Sequence, residues 1–80
     1  TNLITAEVSL YPLKTPRAST IITNAINSLN NEELEYSVGS ISTLLSGTEE
    51  QVWSGLQAMF RNAQNYGEVS MVITLTNAAD

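Results

Sequence analysis

The two ends of the chain carry strict alternations of apolar and polar residues, and everything between them must serve to cover the apolar sides. At the start, Ile4, Ala6, Val8 and Leu10 alternate with Thr5, Glu7, Ser9 and Tyr11. At the end, Val69, Met71, Ile73 and Leu75 alternate with Ser70, Val72, Thr74 and Thr76. A period of two is the signature of a strand with one face buried. The expected strands are therefore Leu3 to Tyr11, closed by Pro12 and Pro16, and Glu68 to Thr76.

The covering layer is written in period 3.6. Ala18, Ile21, Ile22, Ala25, Ile26 and Leu29 recur at steps of three and four, which predicts an amphipathic helix. Its start is expected near Pro16, with Thr15 as N-cap, and its end at Asn30 and Asn31. A second stripe holds Val52, Trp53, Leu56, Met59, Phe60 and Ala63. Thr48 and Gln51 before it have the spacing of a capping box, and Glu49 and Glu50 suit the positive end of the helix dipole. Gly55 inside this helix costs about 1 kcal/mol relative to alanine, so close packing against a neighbour is expected there. Trp53 reads as core. Gly67 ends the helix.

Between the helices, Leu34 to Ile41 reads as a strand interrupted by Gly39, and Ser42 to Gly47 as a shorter one, joined by a tight turn around Ser40. The order strand, helix, strand, strand, helix, strand predicts an α+β fold of the ferredoxin-like βαββαβ kind. It has a four-stranded antiparallel sheet with both helices on one face. Residues 1–80 are read as a single such domain, with no linker or repeat.

Composition narrows the function. The chain has no Cys and no His, which removes disulfides, zinc-finger sites and thiol or imidazole catalysis; no metal site is expected. The net charge of −5 leaves only Lys14, Arg17 and Arg61 as cations, too few to neutralise nucleic-acid phosphates. No apolar run reaches the roughly 20 residues of a membrane span, so no membrane insertion is expected, and the cytoplasm is the expected location. Charged residues make up 14% of the chain, well below the usual quarter. Depleted charge of this kind is found at interface cores, and much of the surface is expected to be covered by copies of the same chain.

The sheet side away from the helices is expected to show Thr5, Glu7, Ser9, Tyr11, Thr43, Ser70, Val72, Thr74 and Thr76. Such a face is more hydroxyl-rich than a dry interface and less charged than a solvated one. Glu7 stands out because a carboxylate in mid-sheet is either simply solvated or serves as an acceptor for a ligand. No serine has an evident base, and the Glu32-Glu33-Glu35 and Glu49-Glu50 clusters fit a turn and a helix first turn. The expectation is that the protein is not an enzyme.

Three stretches, Ala-Glu-Val-Ser-Leu-Tyr-Pro-Leu (Ala6 to Leu13), Ser-Thr-Leu-Leu-Ser-Gly (Ser42 to Gly47) and Val-Ile-Thr-Leu-Thr-Asn (Val72 to Asn77), resemble in order and spacing the YkoF-like family of thiamine- and hydroxymethylpyrimidine-binding proteins. The resemblance implies a ferredoxin-like fold, a homodimer or homotetramer built through open sheet faces, no enzymatic activity and no cofactor. It implies thiamine or its hydroxymethylpyrimidine moiety as a ligand, in vitamin uptake or salvage beside a transporter. Carried over by position, it nominates Glu7, Ser9, Tyr11 and Thr43 as ligand neighbours, with Ser46 and Asn77 behind them. Related single-domain proteins often have Glu where this chain has Ser46. The competing expectation is a structural or regulatory homo-oligomer that binds nothing small. An amino-acid-sensing domain of the same fold ranks third. An acylphosphatase-like hydrolase would need glycines around Arg17 that are absent, and RNA binding would need sheet aromatics.

Overall fold

The computed structural model describes residues 3–78. Strand β1 (Leu3–Pro12) leads into helix α1 (Ala18–Asn27) and a 3-10 turn (Ser28–Asn31). Strands β2 (Glu35–Val38) and β3 (Thr43–Thr48) follow, then helix α2 (Glu49–Gln64) and strand β4 (Val69–Thr76). The sheet order is β2-β3-β1-β4, with every neighbouring pair antiparallel. This is the ferredoxin-like arrangement that the alternation and the two helical stripes predict.

The core lies between the sheet and the helices. Ala6 and Val8 of β1 and Leu45 of β3 meet Ile21 and Ala25 of α1, Leu29 of the 3-10 turn, and Val52, Leu56, Met59 and Ala63 of α2. Met71 and Ile73 of β4 pack against its side. Gly55 is where α2 comes closest to the layer below. A Cβ there would stand 2.5 Å from Leu34 Cδ2, 3.1 Å from Leu45 Cδ2 and 3.3 Å from Leu29 Cδ2. The helix accepts the propensity cost of glycine to gain that approach.

Both hydrogen bonds of the α2 capping box are formed. The Gln51 N–H donates to Thr48 Oγ1 at 3.2 Å, and the Thr48 N–H donates to Gln51 Oε1 at 3.0 Å. Helix α1 begins two residues after the expected Pro16. The Thr15 hydroxyl does accept from the Arg17 N–H at 3.1 Å, but the first helical backbone bond runs from Ile21 N–H to the Arg17 carbonyl at 3.0 Å. Lys14 just before it adopts a left-handed conformation, φ 56°, which reverses the chain as it leaves β1.

Strand β2 is shorter than the expected Leu34 to Ile41. The Gly39 N–H donates to the Ser42 carbonyl at 2.8 Å, so Gly39 ends β2 and opens the turn to β3 instead of bulging within a strand. Trp53 is also displaced from its expected place. It is 43% exposed at the edge of the α2 stripe, whose buried line runs through Val52, Gly55, Leu56, Met59 and Ala63. The small Gly55 draws the helix down along that line, and Trp53 is rotated to its flank.

Candidate functional site

Antiparallel pairing sets the residues of the uncovered face in rows across the strands, because directly opposed residues point to the same side. One row reads Thr76, Thr5, Ser46, Glu35 from β4 to β2. The next reads Thr74, Glu7, Leu44, Ser37. Beyond them Ser9 faces Val72, and Tyr11 faces Ser70. Glu7 thus sits on a central strand, flanked by a hydroxyl on one side and an exposed leucine on the other. The Ser42 hydroxyl reaches over from the β2–β3 turn and donates to Glu7 Oε2 at 3.1 Å. In the adjoining row the hydroxyls of Thr5 and Ser46 lie 3.4 Å apart.

Four of the six nominated residues therefore share one face: Glu7, Ser9, Tyr11 and Ser46. Thr43 does not. Its register partner on β1 is Val8 and on β2 Val38, which turns it toward the helices, where it is 4% exposed. There it borders a cavity of about 130 Å³ together with Val8, Ile26 and Met59. The adjacent pair Leu44-Leu45 explains the discrepancy, since one of two consecutive leucines in a strand must face outward. Leu45 is fully buried and Leu44 is 43% exposed. Asn77 lies past the end of β4 and borders a separate open depression of about 410 Å³ with Ile4, Glu49, Trp53, Leu75 and Thr76.

A groove of about 630 Å³ lies over the end of the sheet where β1 begins and β3 finishes. Thr5 and Ser46 line it together with Leu3, Ile4, Leu34, Gly47, Glu33 and Glu35. A Cβ at Gly47 would stand 2.7 Å from Gln51 Oε1, the oxygen that closes the capping box, so a larger residue there would displace that side chain. Gln51, in the first turn of α2, also lines the groove. Glu35 is the residue sequence reasoning passed over: it reads as one of several turn carboxylates, and only pairing with β3 brings it beside Ser46.

Among the described residues no group of three or more His, Cys, Asp or Glu is placed to hold a metal ion, and no helix is long and apolar enough to cross a membrane. The chemistry this face offers is hydrogen-bond acceptance by carboxylates and exchange by hydroxyls, next to exposed apolar side chains.

Comparison with known proteins agrees with the geometry. No curated protein matches the chain significantly. Among solved structures, a hypothetical protein from Methanocaldococcus jannascii superposes with a TM-score of 0.87 at 21% identity, over 100% of this chain and 84% of the other. A protein from Streptococcus pneumoniae gives 0.89 at 16% identity, over 96% and 88%. A Thermotoga maritima protein provisionally assigned to thiamine biosynthesis or salvage gives 0.79 at 17% identity, over 91% and 81%. At these identities the likeness is one of fold. The model of the YkoF-related family matches residues 4–79, nearly the full length, and the chain therefore belongs to the YkoF-related family.

Proposed function

We propose that the protein binds thiamine or its hydroxymethylpyrimidine moiety without transforming it, on the open sheet face of a homo-oligomer, as part of vitamin uptake or salvage in the cytoplasm. The observation that carries this reading is Glu7, a carboxylate on a central strand of an uncovered sheet, oriented by the Ser42 hydroxyl. Thiamine offers a thiazolium cation and an aminopyrimidine, and a carboxylate serves either one, by charge or by accepting from the amine. Ser9 and Thr74 next to Glu7 add hydroxyls within the same patch. Family membership and the salvage assignment of the Thermotoga maritima protein support the same ligand class. With no His or Cys in the chain, a passive binding role is also the economical one.

Isothermal titration calorimetry with thiamine, and separately with hydroxymethylpyrimidine, tests the proposal. A saturable signal near micromolar affinity, about −8 kcal/mol, supports it. The absence of heat from either ligand, in a folded sample, overturns it.

A structural or regulatory oligomer with no small ligand is favoured by a different observation, the exposed apolar side chains on the same face. Val72 is 56% exposed and Leu44 43%, and both suit contact with a second copy. A negative titration combined with a stable oligomer would make that the function.

A further inference from the structure

We infer that the turn between β2 and β3 is a latch: the Ile41 side chain swings from solvent into the cavity beneath the turn, and seating it there holds Ser42 on Glu7. The latch closes on the helix side of the sheet and acts on the open face. Its effect on a ligand rests on the binding reading above, whereas the latch itself stands on its own geometry.

Ile41 is 86% exposed, more than any other large apolar side chain among the described residues. It stands at the lip of the cavity of about 130 Å³ that Thr43 borders. The walls of that cavity are apolar: Val8 and Leu10 from β1, Ile22 and Ile26 from α1, Val38 from β2 and Met59 from α2. An apolar cavity of about 150 Å³ takes benzene, so this one has room for the smaller side chain of isoleucine. With Ile41 outside, its own surface stays in water and the cavity walls lack contact partners. Seating it removes both deficits.

Chain direction supplies the route. Ser42 is anchored toward the open face by its bond to Glu7 Oε2, and Thr43 is buried on the opposite side. Continuing the alternation of β3 back by two residues puts Ile41 on the side of Thr43, over the cavity. The Gly39 N–H donates to the Ser42 carbonyl at 2.8 Å and closes the turn. The swing is therefore confined to Ser40 and Ile41, the two residues inside it.

Coupling follows because Ile41 and Ser42 share a peptide bond while their side chains serve opposite faces. With Ile41 seated, the backbone at Ser42 is fixed and its hydroxyl keeps one geometry toward Glu7. With Ile41 in solvent, that geometry rests on Ser42 alone. A ligand that uses the oriented carboxylate of Glu7 favours the seated turn, and the seated turn favours the ligand to the same extent.

The test is methyl- and amide-resolved NMR of the full chain, with thiamine titrated into the parent, Ile41→Ala, Ser42→Ala and the double variant. Nuclear Overhauser contacts are expected from the Ile41 δ1 methyl to the Ile26 and Met59 methyls, strengthened by thiamine. Ile41→Ala should shift the Glu7 and Ser42 amides and weaken thiamine about threefold, the scale of ordering one side chain. Ser42→Ala should weaken it equally, with no further loss in the double variant, because both act through one coupled contact. Absence of contacts from Ile41 into the cavity overturns the latch, as do parent-like Glu7 and Ser42 signals in Ile41→Ala. Parent-like thiamine affinity in Ile41→Ala, or additive losses in the double variant, overturns the coupling and with it the proposal. If Ile41 seats and its removal moves Glu7 while thiamine fails to bind the parent, the latch stands and the vitamin reading falls.

Discussion

The Ser42 hydroxyl donates a hydrogen bond of 3.1 Å to Glu7 Oε2, tying the turn between β2 and β3 to the central strand β1 across 35 residues of sequence. One oxygen of the carboxylate is thereby oriented by the protein itself. An oriented carboxylate spends less entropy on meeting a ligand than a freely rotating one.

Replacement of Glu7 by Gln is expected to weaken thiamine binding at least tenfold, about 1.4 kcal/mol, with the denaturation midpoint unchanged because Glu7 is exposed. Ser42→Ala should weaken it by a smaller factor, since only the orientation is lost. Calorimetry on both variants beside urea melts checks this. Parent-like affinity in a folded Glu7→Gln protein would remove Glu7 from the site.

Thr43→Val should leave ligand affinity within about twofold and stability within about 1 kcal/mol. The side chain is buried beside Val8 and Met59 on the helix side of the sheet, so its methyl group matters more than its hydroxyl. A tenfold loss of binding would mean that Thr43 reaches the ligand after all.

Gly55→Ala gains about 1 kcal/mol of helix propensity and still should destabilise the protein. The added Cβ meets Leu34, which is half-buried and able to shift, but also Leu45 and Leu29, which are fully buried. Overpacking of this kind typically costs about 1–3 kcal/mol. Chemical denaturation at constant slope would show the net loss; a rise in midpoint would mean that α2 lifts from the sheet without penalty.

Thr48→Ala removes the hydroxyl that accepts from Gln51 N–H and should cost about 1 kcal/mol. Urea melts of the variant beside the parent check the loss; an unchanged midpoint would mean that the box adds nothing to α2.

Self-association through the open face predicts that Val72→Lys, and Leu44→Lys independently, shift the protein to monomers in sedimentation velocity. Both side chains are exposed on that face, and a charge there would have to be desolvated in any paired face. A parent protein that is already monomeric at high concentration would set the oligomer aside.

Local pattern was enough to write down most of the fold. The alternations at Ile4 to Leu10 and Val69 to Leu75, the helical stripes, and the Thr48–Gln51 box are determined by residues within a few positions of each other, and all appear in the structure. Placing Glu7, Ser9 and Tyr11 on the uncovered side followed from the same period of two. The tertiary structure alone decided what depends on register between distant segments. Two adjacent leucines, 44 and 45, compete for the core, and only the pairing of Ala6 with Leu45 settles which wins and sends Thr43 inward with it. Trp53 and Val52 compete likewise, and the close approach at Gly55 resolves them. Glu35 becomes a neighbour of Ser46, and Ser42 a partner of Glu7, through contacts 11 and 35 residues apart. Period fixes which side chains share a face within one element; which elements meet, and at what offset, is a property of the packed sheet.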